Sequence, residues 1–193
     1  MKHLFTGAVL ALVAQPAGAE VVASSDAGFV TRQTAVVKAD PAAVWQALIA
    51  PGGWWNSEHT YSGDAKNMYL DAQATGCFCE KLPVTPDAPA NSRGGSIEHM
   101  HVIYAAPARA LRMKGGLGPL QSEAVDATLT VTLKDTPEGT RILWEYVVGG
   151  YMRMKTSEIA PLVDKVLSEQ LEGLAKTFGS AGAGEPKHKK SKE

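Results

Sequence analysis

Cysteine is almost missing from this chain: Cys77 and Cys79 are its only two among 193 residues, so at most one bridge can form within it. Excess charge of either sign is missing too. The 19 Lys and Arg nearly cancel the 20 Asp and Glu, which leaves no basic surface for a nucleic-acid backbone. Apart from Leu4 to Val13 there is no long apolar run. That run is half of the roughly 20 residues needed to cross a hydrocarbon core, so no membrane span is expected. G-x-S-x-G, H-E-x-x-H and a phosphate-cradling glycine loop are also absent, and with them the better-marked hydrolases and nucleotide enzymes lose support. "GGLGPLQ" (115–121) is glycine-rich but lacks the spacing and the Lys-Ser/Thr ending of a phosphate loop. It reads as a mobile flap over a cavity mouth. No cofactor is expected.

What is present begins with an export pattern. Met1-Lys2-His3 is basic, Leu4 to Val13 is apolar, and Ala17-Gly18-Ala19 precedes Glu20 in the A-x-A manner of a signal-peptidase site. Residues 1–19 are therefore expected to be a signal peptide, and the mature protein periplasmic or secreted. Losing Lys2 leaves 18 basic against 20 acidic residues, a formal charge of −2. Residues 20–178 have the length of one domain. The end, 179–193, turns to Gly, Ala and Lys187, Lys189, Lys190 and Lys192, and is expected to be a disordered basic tail, having too little apolar surface to offset its ordering entropy.

Between these ends, "DPAAVWQALIA" is a helix with Asp40 as cap, Pro41 at the first position and Pro51-Gly52-Gly53 as stop. Phe29–Lys38 precedes it as a strand. Strand patterns then follow at Asn67–Thr75, Cys77–Leu82, Ser96–Ala105, Ala110–Lys114, Ala127–Lys134 and Thr140–Val148. The last element is a helix from about Ala160 to Phe178, its start marked by Pro161, with Val163, Val166, Leu167, Leu171, Leu174 and Phe178 at helical spacing. Helices segregated from a run of antiparallel strands imply an α+β fold with a curved sheet of about six to seven strands around the long C-terminal helix.

That order, with "VVKADPAAVWQALIAPGGWW", in which a strand feeds an Asp-Pro-capped helix and then a tryptophan pair, resembles the helix-grip proteins of the START-like, SRPBCC superfamily. Within it, the resemblance is to the polyketide cyclase and chaperone-ATPase-activator branch. It covers roughly Phe29 to Phe178. It implies an apolar cavity between sheet and final helix, and its members are typically cytoplasmic, so an export signal is a departure.

The residues suited to such a cavity are Trp54, Trp55, Met68, Met100, Met113, Trp144 and Tyr146 as walls, methionine and aromatics being adaptable apolar surface. Cys77, Cys79, Glu80 and His99 would supply polarity inside. In "RILWEYVV" the face of Ile142, Trp144, Tyr146 and Val148 is the expected inner one, leaving Glu145 outside. The small hydrophobic molecule held there is the expected partner, and oligomeric state is not legible.

The cysteines keep three readings open. Residues i and i+2 of a regular strand lie about 6.6 Å apart on one face, too far for a bridge, so two free thiols are the default. A bulge or turn at Gly76 would let Cys77 and Cys79 close a tight ring. If register also brought His99 and His101 beside them, a Zn or Cu site could form, whereas a one-residue slip would bring Glu98 and Met100 instead. Apart from these, His59, Tyr61 and Asp64 form a polar cluster able to move protons. Three functions follow: binding of a small hydrophobic or amphipathic ligand; a cyclase or isomerase using His59 or His99 as acid/base; a soft-metal carrier on Cys77, Cys79, His99 and His101.

Overall fold

The computed structural model describes residues 19–179. The expected signal segment up to residue 18 and the basic tail from residue 180 lie outside the described residues. What is described is an α+β helix-grip fold: eight antiparallel strands in one curved sheet, with a long C-terminal helix against it. The strands are β1 (Ala19–Ser25), β2 (Gly28–Val37), β3 (Met68–Leu70), β4 (Cys77–Leu82), β5 (Gly95–Ala106), β6 (Ala110–Lys114), β7 (Ala124–Thr136) and β8 (Gly139–Tyr151). They are ordered β1-β2-β8-β7-β6-β5-β4-β3. The helices are α1 (Pro41–Leu48) and α2 (Thr156–Lys176).

Local chemistry sets the first helix. Asp40 Oδ1 accepts from the N–H groups of Ala42 and Ala43, both at 2.9 Å, and Pro41 presets the first turn. Val44, Trp45 and Leu48 then face the core. In the central strands the inner face is apolar: Leu129, Val131 and Leu133 of β7 and Ile142, Trp144, Tyr146 and Val148 of β8 are all buried. Glu145 is on the outer face, paired with Arg32 of β2. Helix α2 packs on β1 and β2, α1 on β7 and β8.

The strand count exceeds the expected six to seven because β1 adds an edge that its Ala- and Ser-rich sequence does not announce. The expected strand over 67–75 shrinks to the three residues of β3, since the chain turns through 71–76. Helix α2 begins five residues before Pro161. The proline sits within the second turn, where it removes only the bond to the Ser157 carbonyl.

Two buried amides fasten α2. Gln33 Nε2 of β2 donates to Asp164 Oδ1 at 2.7 Å, and Gln170 Oε1 accepts from the N–H of Asn56 at 2.9 Å. The second bond joins the helix to the Trp54–Tyr61 segment, which becomes one side of the site. No helix among the described residues is long and apolar enough to cross a membrane.

Candidate functional site

The space left between sheet and helix is not in the middle of the sheet. There, Trp54 meets Trp144 edge-on at 5.9 Å between ring centroids, and Trp55 meets Phe78 at 5.2 Å. The void they share with Met113, Leu111 and Val131 is about 20 Å³, room for about one water. The open cavity, about 440 Å³, lies toward the start of α2. That volume suits a small organic ligand. One wall is the helix, through Ile159, Leu162, Val163, Val166 and Leu167; the second is Trp55 and the segment Glu58–Tyr61; the third is the loop Leu117–Pro119; His99 of β5 completes the lining.

A bulge puts His99 there. Along β4 and β5 the register runs Cys77↔His101 and Phe78↔Met100, then jumps to Cys79↔Glu98. His99 is the extra residue, and the interruption lets both His99 and Met100 turn inward where regular alternation would send one of them out. Glu80 waits beside it. Its Oε2 accepts from His99 Nε2 and from the N–H of Tyr61, both at 3.0 Å, and its Oε1 from the N–H of Ser62 at 2.5 Å. The carboxylate is fully buried, the imidazole 4% exposed. Burial pushes the Glu80 carboxyl up, but the hydrogen bonds from Ser62, the Tyr61 amide and His99 outweigh it and hold it below the ordinary carboxylate value. Burial also depresses His99, against the pull of Glu80, so its ring is neutral near pH 7. An anionic Glu80 only accepts, so Nε2 carries the proton and Nδ1 presents a lone pair.

The rim is tied as firmly. His59 Nε2 meets Glu169 Oε2 of α2 at 2.8 Å, and Trp55 Nε1 donates to the His59 carbonyl at 3.1 Å. Tyr61 Oη stands 3.3 Å from both the Gly118 carbonyl and Gln121 Oε1, and Gln121 Nε2 donates to the Glu98 carbonyl at 2.6 Å. Gly115 permits the loop's approach, because a Cβ there would overlap the His99 carbonyl, at a φ of 154°. The stretch read as a mobile flap does border the cavity mouth, held by these bonds.

Of the residues suited to a cavity, Trp55 and His99 line the open one. Trp54, Trp144 and Met113 border the 20 Å³ void, while Met68 and Met100 are packed in the core. Tyr146 is buried and reaches the loop through its hydroxyl, and Glu80 stands behind His99. Within the cluster His59, Tyr61 and Asp64, the first two line the cavity, whereas Asp64 caps the next turn by accepting from the Lys66 amide. Leu117–Pro119 lie within the 115–121 stretch expected at the cavity mouth, whereas the α2 wall was expected only as a helical apolar stripe and not as site residues. The signal for that wall is an α2 stripe wide enough to leave Leu162, an apolar residue, 59% exposed.

Cys77 and Cys79 are joined as a disulfide, with Cα atoms 5.4 Å apart. This departs from the free-thiol default: the Cα atoms stand closer than the about 6.6 Å of a regular strand, beside the register shift made by His99 of the neighbouring strand. By strand alternation the pair belongs to the face opposite Phe78 and Glu80, where Cys79, itself buried, pairs with Tyr69 and half-buried Cys77 with His101, and neither lines the open cavity. It does not lend polarity to the cavity. The four-residue metal set fails to converge: the sulfurs bond each other, His101 turns to Glu98 outside at 3.3 Å, and His99 turns inward to Glu80. Among the described residues no group of three His, Cys, Asp or Glu comes together to hold a metal.

No protein-family model matches this chain, and no curated protein does. Solved structures share its shape. Protein MLL2253 from Mesorhizobium loti superposes with a TM-score of 0.52 at 16% identity, over 79% of this chain and 98% of its own. An uncharacterized protein from Rhizobium leguminosarum gives 0.52 at 18%, over 85% and 98%. Protein SA2116 of unknown function from Staphylococcus aureus gives 0.51 at 13%, over 78% and 93%. At such identities the likeness is one of fold: the helix grip built here from β1–β8 and α2 is the architecture this chain shares with them.

Proposed function

We propose that this chain is an exported helix-grip protein of the START-like kind that holds one small hydrophobic or amphipathic molecule between α2 and the loops at 58–61 and 117–119. The observation that carries this reading is the 440 Å³ cavity itself, with aliphatic side chains of α2 on one wall and the neutral imidazole of His99 on another. An apolar pocket with a few fixed polar groups is the usual form of a small-molecule site. Export rests on the Lys2, Leu4–Val13 and Ala17–Ala19 pattern, and a Cys77–Cys79 bridge fits an oxidising compartment. Native mass spectrometry of protein isolated from the periplasmic fraction tests both points. The expected spectrum shows a mass starting at Glu20 plus a non-covalent organic adduct. A bare protein that also fails to take up any apolar probe would refute the binding reading.

A second reading has its own support: His99 as general acid/base in a cyclase- or isomerase-type reaction. Glu80 fixes its tautomer and leaves Nδ1 as a base, an arrangement that proton transfer on a bound ring would use. His99→Gln separates the two. Turnover lost with binding kept favours chemistry; no turnover in the unaltered protein on any bound ligand removes it.

A further inference from the structure

The cavity is lopsided in charge. Its lining includes one carboxylate, Glu58, and no Lys or Arg. Two further carboxylates stand behind lining histidines: Glu80 behind His99 at 3.0 Å, Glu169 behind His59 at 2.8 Å. Among the described residues the cation recorded against these groups is Lys165, 3.9 Å from Glu169 and 75% exposed. An anionic headgroup entering here would shed its hydration and meet carboxylates where it needs a cation.

His99 sets the sense of the hydrogen bond. Its Nε2 proton is committed to Glu80, and among the described residues its Nδ1 has no partner. In the empty cavity water can meet that lone pair; a guest that covers it without a donor leaves an unpaired acceptor at a cost of about 1–3 kcal/mol, and a donor carried in by the ligand removes that cost. The ring lies against Phe78, at 5.4 Å between centroids, and Tyr61, at 5.9 Å, contacts that hold its orientation toward the cavity.

We infer that the pocket takes an uncharged amphiphile bearing an O–H or N–H donor on an apolar body, of the phenol, alcohol or amide class, which donates to His99 Nδ1, and that it rejects carboxylates and phosphates of the same size. This deepens the binding function proposed above and rests on it.

The two are separable in one titration. The purified protein is loaded with the neutral fluorescent probe N-phenyl-1-naphthylamine and titrated at pH 7.5 with 4-pentylphenol, 4-pentylanisole and 4-pentylbenzoate. The tails match; the heads donate, only accept, or carry negative charge. The phenol is expected to displace the probe at roughly tenfold lower concentration than the anisole, one hydrogen bond's worth, with the benzoate weakest. His99→Leu should shrink the phenol-to-anisole ratio to within about twofold. A benzoate that competes as well as the phenol, or a ratio near one in the unaltered protein, overturns the ligand class while leaving the pocket standing. A ratio that survives His99→Leu overturns His99 as the acceptor. A probe that never binds sinks the pocket and the inference together. Should His99→Leu fail to fold, the ranking in the unaltered protein still decides the class.

Discussion

The hydroxyl of Tyr146 accepts from the N–H of Leu117 and donates to the carbonyl of Gly115, both at 3.0 Å, so a buried tyrosine of the central sheet pins the loop that closes the cavity. Burial drives its ionisation well above the ordinary tyrosine value, keeping the proton that the Gly115 bond needs. Tyr146→Phe removes both bonds and strands a carbonyl and an amide. Stability should fall by about 1–3 kcal/mol, and amide hydrogen exchange should accelerate at 115–119 ahead of β7 and β8. Unchanged exchange in that loop would show that it is held by something else.

Gly173 looks like a weakness in α2, since Gly in a helix interior costs about 1 kcal/mol relative to Ala. A Cβ there would come within 2.5 Å of the Trp54 carbonyl. Helix propensity predicts that Gly173→Ala stabilises; the contact predicts the reverse, by about 1–3 kcal/mol, because backbone has to move. Thermal unfolding gives the sign. A raised melting temperature would mean that the helix and the tryptophan segment do not touch there.

Acid should unfold the protein in two legs. His99 and Glu80 both hold protons less tightly when folded, so the unfolded chain binds more of them and stability drops as pH falls. The His99 leg develops as pH falls through about 6.5, where an ordinary histidine is half charged, and the Glu80 leg as it falls through about 4.5. Glu80→Gln should cost about 2–3 kcal/mol at pH 7, because an amide cannot accept from Tyr61, Ser62 and His99 together, and should flatten the lower leg. Urea melts at intervals from pH 4 to 8 measure this. Equal acid slopes in the two proteins would contradict the burial of an ionised Glu80.

Thiol titration of the denatured protein should find no reactive sulfhydryl before reduction and two after it. The ring spans only three residues, so the entropic contribution of Cys77–Cys79 to stability is about 1–2 kcal/mol. Its outer-face position predicts that reduction leaves probe binding within twofold. A large loss of binding on reduction would place the cysteines at the cavity after all.

Much of the fold is written locally. β4 and β6 fall on the residues that their alternation marks, and Asp40-Pro41 starts α1 in the sequence and in the structure alike. Boundaries set by other segments are less visible: α2 runs through Pro161 at the loss of the bond to the Ser157 carbonyl, so the proline does not mark its start, and the Ala- and Ser-rich β1 becomes a strand by pairing with β2. The site was legible as residue types and not as geometry. Glu80 shares the parity of Phe78 in "CFCEKL", a charge on an apolar face, which flags a buried partner. That His99 reaches it turns on one bulge, which strand alternation does not encode. The cavity's displacement from Trp54 and Trp144 toward Val163 and Leu117 depends on how two indoles fill the sheet's centre, and that is a matter of packing.

Mapping the bound probe on the protein decides most directly between an occupied cavity and a merely shaped one. In a ¹⁵N correlation spectrum titrated with N-phenyl-1-naphthylamine, the shifts should concentrate on Thr60, His99, Leu117, Gly118, Val163 and Leu167 and on the indole N–H of Trp55, leaving that of Trp144 in place. Shifts centred on Trp144 and Met113, or scattered over the outer face of the sheet, would contradict the site.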